Sequence, residues 1–402
     1  MGSRWFRLFA FVFMMVVLSG GTMYVTRGTQ SLPLPQLPDA ELPQPVGEEG
    51  TLPTLPVFRE FIQWLDDELD STHTVGAAYT IVHGGEIVYT GTFGERSRGG
   101  HQPVDEHTLF RLASVSKGFS GVLACLLERD GVFSLSDKVA DLYPGFQLKD
   151  SVSTAELTIR DLLSHTSGLV PYAFDNLVEA GQELPTIIDR LDEVDISAPP
   201  GQLYGYQNVM FSMLDPIASS STGIPYEVLL RDRIFRPLGM EDASAGPVDL
   251  EKNPNMAYPH VSTRSGYMPQ DPREGYYNVL PAAGVNASIS DMGQWLLALL
   301  GYKPQWMPDA VLDSIATPVI YTPLKWRYTR YWKPFRERHY SLGWRIYYYQ
   351  GREILYHGGY IRGCRAEIAF CPSEDVGVAF LMNSPNSLAS RFVPTFFDLF
   401  LE

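Results

Sequence analysis

The chain has 402 residues, with 31 basic against 46 acidic side chains and a formal net charge of −15. Hydrophobic residues make up 45% and charged residues 19%, enough apolar material for packed cores, which excludes disorder and collagen-like repeats; a single apolar run at the start excludes a polytopic membrane protein. The acidic balance also excludes general nucleic-acid binding, which draws its affinity from Lys and Arg neutralising phosphates.

At the N-terminus, Arg4 and Arg7 precede an unbroken apolar run over residues 8–18, followed by Ser19-Gly20-Gly21 and a second short apolar stretch ending at Val25. Basic residues before an apolar core are the pattern of an export signal, here spanning about residues 1–30. Ser19 and Gly21 offer small residues for cleavage. Residues 8–25 equally make about 27 Å of helix, close to the ~30 Å of a hydrocarbon core, and would serve as an uncleaved membrane tether. Either way the chain is expected to be exported, anchored at the periplasmic face of the inner membrane or soluble in the periplasm. Residues 31–56 hold seven prolines and four acids without one basic residue, the composition of an extended linker.

From Val57 the pattern turns helical, with Phe58, Phe61, Ile62, Leu65 and Leu69 at three- and four-residue spacing. Residues 75–82 and 87–93 read as strands joined by a hairpin turn at His83-Gly84-Gly85-Glu86. A helix begins at Ala113, its apolar face formed by Phe119, Val122, Leu123, Leu126 and Leu127, and stops at Asp130-Gly131. Helices and loops continue to about residue 269. Strands return at 341–349, 353–357, 363–370 and 376–382 before a last helix from about Leu388. Residues 57–402 therefore read as one domain, with a sheet part (about 57–112 and 270–402) and a helical part (about 113–269). Strands from both ends of the chain point to an α/β (α+β) arrangement: one antiparallel sheet flanked by helices, with a helical insertion domain beside it.

Three cysteines, Cys125, Cys364 and Cys371, form neither a disulfide framework nor a zinc site, and no CxxC or HExxH occurs. Cys364 and Cys371 bracket a strand of about 23 Å, beyond the ~7 Å a disulfide spans. No metal or cofactor is expected.

Three short motifs carry chemistry. Ser114-Val115-Ser116-Lys117 opens a helix, which places Ser114 and Lys117 on one face with Cβ atoms about 5–6 Å apart. A desolvated lysine there can take up a serine proton. The pattern alone is weak, since thirty serines and seven lysines give about 0.5 such matches by chance. Tyr206-Gln207-Asn208 follows a Pro-Gly turn; a phenol beside an ammonium loses its proton more easily, making Tyr206 a candidate base and later acid, with Asn208 orienting both. A rival triplet stands at Tyr276-Tyr277-Asn278. His357-Gly358-Gly359-Tyr360 ends a strand, where the histidine can donate to a substrate carbonyl or carboxylate and the glycines let backbone approach it. The other copy, His83-Gly84-Gly85, is assigned to the hairpin turn. No Gly-x-Ser-x-Gly elbow occurs, against an α/β-hydrolase triad.

The order Ser-x-x-Lys, Tyr-x-Asn, His-Gly-Gly, at spacings of 92 and 151 residues, resembles the serine hydrolases related to class C β-lactamases. The segments Leu162-Leu-Ser-His-Thr-Ser-Gly-Leu169 and Pro281-Ala-Ala-Gly-Val-Asn-Ala-Ser-Ile-Ser-Asp291 and the strand at 376–382 extend that resemblance over most of residues 57–402. It implies a β-lactamase/transpeptidase-like fold and a nucleophilic Ser114 that forms an acyl-enzyme, with Lys117 and Tyr206 sharing the acid–base role. Asn208 would orient the substrate, His357 would occupy the place of the lysine in Lys-Thr-Gly, and the backbone N–H groups of Ser114 and Tyr360 would form the oxyanion hole. By the same likeness His165 is structural. His-Gly-Gly in place of Lys-Thr-Gly resembles the esterase, D-peptidase and penicillin-binding-protein-like branches. An ester or amide, a small molecule or a cell-envelope component, is the implied substrate, with weak or no β-lactamase activity. A catalytically silent, envelope-anchored binding or sensor protein of the same fold is the alternative.

One segment is left over. Residues 325–338 interleave Lys325, Arg327, Arg330, Lys333, Arg336 and Arg338 with Trp326, Tyr328, Tyr331, Trp332 and Phe335, against the single acid Glu337. It reads as a docking loop for anionic headgroups or envelope polymers, as a lid, or as a surface loop whose long side chains cover apolar area.

Overall fold

Eight antiparallel strands make up the main sheet of the chain in a computed structural model, which describes residues 53–273, 275–323 and 329–402. The expected signal or anchor, residues 31–52 of the expected linker, and residues 325–328 of the cationic loop lie outside the described residues. In spatial order the strands are Glu86–Gly94, Gly76–His83, Val376–Met382, Cys364–Cys371, Arg352–Ile361, Arg345–Tyr349, Glu337–Tyr340 and Ile320–Tyr321. The hairpin expected at His83 is present, with Gly84 and Gly85 both at positive φ (61° and 80°), the backbone a tight two-residue turn requires.

The central strands explain the layering. Along Val376–Met382 every residue is buried, because both sheet faces are covered. Val376, Val378, Phe380 and Met382 point to one side, where they meet Phe58, Phe61, Ile62, Leu65 and Leu69 of the helix Pro56–Ser71 and Phe392, Phe396 and Phe397 of the helix Leu388–Phe400. Ala379 and Leu381 point to the other, into a core built with Trp295, Leu296 and the helix Ser116–Arg129. Each fully buried Leu or Phe in these layers stabilises the fold by roughly 1.5–3 kcal/mol.

The helical layer is not confined to residues 113–269. Helices Ile289–Leu299 and Asp309–Ala316 belong to it and precede the return to strands at Ile320–Tyr321. Helix Ser116–Arg129 runs through its middle, with every residue from Ser116 to Leu127 buried. Gly121 lets the loop before the Arg345–Tyr349 strand press against it: a Cβ there would stand 2.0 Å from the Leu342 carbonyl oxygen. Cys364 and Cys371 end one strand, as expected, and all three cysteines are free and buried.

Candidate active site

Between Thr108 and Leu127 every residue is buried except Ser114. It sits in a 3₁₀ turn, Ala113–Val115, directly before the buried helix. Ala113 has a φ of 47°, a left-handed conformation costly for a residue with a Cβ, and this kink turns Ser114 out of the packed segment.

Lys117 follows in the first helical turn and is fully buried. Its Nζ stands 3.5 Å from Ser114 Oγ, donates to Asn208 Oδ1 at 2.8 Å and to the Ala282 carbonyl at 3.0 Å. Burial drives its pKa well below the ordinary lysine value, with Asp175 pulling the other way and Arg345 adding to the fall. Tyr206 approaches from the loop before the helix Asn208–Ser212, and its hydroxyl donates to Ser114 Oγ at 2.9 Å. The phenol differs from the expectation that it loses its proton easily. Burial raises the Tyr206 pKa and outweighs the opposing effects of Arg345 and of the Ser114 hydrogen bond. The cluster therefore holds a buried amine inclined to be neutral and a phenol inclined to keep its proton, both aimed at one accessible hydroxyl.

Two residues in this arrangement carry no motif. Asp175 accepts from Asn208 Nδ2 at 2.9 Å, so a hydrogen-bonded line runs from Asp175 through Asn208 to Lys117. Burial pushes its pKa up to about 6. Arg345 lies 5.7 Å from the Tyr206 ring centroid and 5.6 Å from that of Tyr340, with Nη1 at 3.4 Å from the Tyr204 hydroxyl. A burial pattern broken by one half-buried serine is not readable before the fold is known, and neither residue sits at a motif spacing.

His165 is where the sequence placed it, in a supporting role. It is buried, its ring lies 4.2 Å from that of Tyr206, and Nδ1 accepts from the Gln207 backbone N–H at 3.2 Å. The rival triplet is structural: the Tyr276 hydroxyl bonds Glu179, the Tyr277 hydroxyl bonds Asn286, and Asn278 Nδ2 donates to the Val178 and Gln182 carbonyls.

The His-Gly-Gly segment falls within the strand Arg352–Ile361, not only at its end. A Cβ on Gly359 would stand 2.2 Å from the Leu112 carbonyl oxygen and 3.2 Å from the Ser114 nitrogen, so this strand passes directly against the segment bearing Ser114. A Cβ on Gly358 would meet the Glu367 carboxylate and the Tyr356 hydroxyl at 2.6 Å. Tyr360 stands at the rim, 62% exposed, with the Arg365 guanidinium 5.8 Å from its ring centroid. His357 departs from expectation. It is buried, its Nε2 is bonded to the Tyr340 hydroxyl at 3.0 Å, and burial holds its pKa well below 6.5, so it supports the strand from behind instead of presenting a donor to a ligand.

A sheet between helical layers, with serine, lysine and tyrosine gathered where a strand meets a helix start, defines the class by its fold: a β-lactamase-fold protein. The chain belongs to the β-lactamase family, matched over residues 61–399. It is 28% identical over 356 residues to an unguisins hydrolase of Aspergillus campestris (85% of this chain, 64% of that one). It is also 29% identical over 280 residues to penicillin-binding protein 4* of Bacillus subtilis (65% and 60%). The chain thus spans less than two thirds of the length of these curated relatives. In fold it is similar to the octameric penicillin-binding protein homologue of Pyrococcus abyssi (TM-score 0.75, 22% identity, 86% of this chain and 77% of that one). It is similar likewise to a class C β-lactamase of Rhodobacter sphaeroides (TM-score 0.69, 24%, 85% and 99%).

Proposed function

We propose that the chain is an exported serine hydrolase that cleaves an ester or amide through an acyl-enzyme on Ser114. The observation that carries this reading is the single accessible hydroxyl, donated to by Tyr206 at 2.9 Å and faced by an amine whose burial favours the neutral form. In the proposed step neutral Lys117 takes the Ser114 proton as Oγ attacks the carbonyl carbon. Tyr206, still protonated, delivers its proton to the leaving group; in the second half the attacking water gives a proton to the Tyr206 phenolate, and Lys117 returns its proton to Ser114 Oγ as the acid leaves. The backbone N–H groups of Ser114 and Tyr360 stabilise the oxyanion, a contribution of a few kcal/mol, and the contact of Gly359 with Leu112 and Ser114 sets their spacing.

Carboxylester or D-amino-acid amide and peptide bonds are the favoured substrates, small or attached to the cell envelope. β-Lactam hydrolysis is weak or absent, because the place of the lysine in Lys-Thr-Gly is taken by a buried neutral histidine, His357. Export follows from residues 1–30, through anchoring by residues 8–25 at the periplasmic face or release into the periplasm. The test is intact-mass labelling of the full chain with a fluorophosphonate. One adduct per chain, lost in Ser114→Ala, is expected, together with faster hydrolysis of p-nitrophenyl butyrate than of nitrocefin. No adduct on the folded protein would favour the silent binding or sensor reading.

A further inference from the structure

The cationic and aromatic loop plays no part in that chemistry, yet its described part is built as a site. Together with Tyr321, residues 329, 330 and 332–338 wall a cleft of about 380 Å³. Arg330, Lys333, Arg336 and Arg338 line it, against the single acid Glu337. Lys333 is already engaged, donating to Glu402 at 2.9 Å and standing 3.4 Å from Asp398. Arg330, Arg336 and Arg338 have no carboxylate within ion-pair distance among the described residues; Arg330 lies over the Tyr331 ring at 4.5 Å and Arg338 over that of Phe335 at 5.9 Å. Trp332 pins the loop in place, buried edge-on against Tyr347, Tyr349 and Tyr356 at 5.3, 5.1 and 5.8 Å. A fixed cleft with unpaired guanidiniums and aromatic walls suits an anionic, extended, proline-containing ligand, since aromatic grooves accept preformed polyproline segments at low entropic cost.

We propose that its occupant is residues 32–52 of this same chain. Charge fits: the segment carries Asp39, Glu41, Glu48 and Glu49 and no basic residue. Composition fits: Pro33, Pro35, Pro38, Pro43 and Pro45 favour an extended backbone. Place fits as well. The segment leads into the helix Pro56–Ser71, whose Phe58 stacks on Phe400 at 5.8 Å, and Lys333 of the cleft is bonded to Glu402, so entry and cleft meet at the same end of the helix Leu388–Phe400. At about 3.1 Å per residue the 21 residues reach roughly 65 Å, about three times the ~20 Å length of the helix Leu388–Phe400.

Hydrogen exchange on the full chain tests this, read as protection of residues 39–50 relative to a synthetic peptide of residues 32–52. We expect exchange slowed at least about fivefold at low salt, with the protection lost at about 0.5 M NaCl. Arg330→Glu/Arg336→Glu/Arg338→Glu should abolish it, and adding Asp39→Lys/Glu41→Lys/Glu48→Lys/Glu49→Lys to that variant should restore it. No protection in the wild-type chain, or protection indifferent to both salt and charge reversal, overturns the proposal. Protection of residues 329–338 that appears only with phosphatidylglycerol vesicles, and not with phosphatidylcholine, overturns it in favour of a lipid surface. The salt series on the wild-type chain decides the matter even if the triple variant fails to fold.

Discussion

The tripeptide His-Gly-Gly occurs twice, and its two settings use glycine for opposite reasons. At Gly84-Gly85 the backbone is left-handed; a Cβ on Gly84 would meet nothing within 4 Å, while one on Gly85 would also strike the Tyr302 ring at 2.5 Å. At Gly358-Gly359 the backbone is an ordinary strand, and a Cβ on Gly359 would collide with the Leu112 carbonyl at 2.2 Å. The first copy needs a left-handed dihedral angle at both glycines, and the second needs only absent side chains. His83 packs on Phe58 and Phe400 at a sheet end, whereas His357 is buried behind the strand that meets Ser114. The Tyr-x-Asn triplets divide in the same way, one aimed at Ser114 and one tied into loop backbone.

Four outcomes would break or sharpen this contrast. Tyr206→Phe should lower kcat/KM for an activated ester by about 10²–10⁴, while Tyr276→Phe leaves it within about twofold; comparable losses in both would erase the distinction. Gly359→Ala should cost about 10² in kcat with the fold retained by circular dichroism, because backbone next to Ser114 must shift. Gly84→Ala should leave kcat/KM unchanged and lower stability by about 1–2 kcal/mol, measured by denaturant unfolding, for the strained φ alone. The smallest effect concerns pH. Lys117 must be neutral to accept a proton and its pKa is depressed by burial, so kcat/KM should rise with pH along a limb well below the usual lysine range. Asp175 favours the charged ammonium, so Asp175→Asn should move that limb to lower pH, with less than about a tenfold change at the plateau. A limb that moves upward would contradict the sign.

Much of the scaffold could be read from the chain. The 3.6-residue spacing of Phe58, Phe61, Ile62, Leu65 and Leu69, the turn at Gly84-Gly85 and the apolar run 376–382 are local signals, and each element lies where its pattern predicted. Ser114, Lys117, Tyr206 and Asn208 were legible because their order and spacing survive in one dimension. Asp175 and Arg345 were not, since one joins the site through Asn208 and the other through the ring faces of Tyr206 and Tyr340. Tyr206 and His357 differ from the sequence expectation for a related reason: sequence shows a neighbouring charge but not the burial that outweighs it.

The pairing of Gly76–His83 with Val376–Met382 also bears on how the chain reaches this state. Ala77 faces Met382 and His83 faces Val376, so the first long strand has its inner partner some three hundred residues away. Until Met382 has been synthesised, that strand presents an open edge, and the two phenylalanine-rich helices at the ends of the domain have no common surface to share. Contacts of such sequence separation make folding slow and late, leaving a nascent chain exposed to aggregation until its last strand is in place. A chain cut before Val376 would lose the middle of its sheet, not merely its tail.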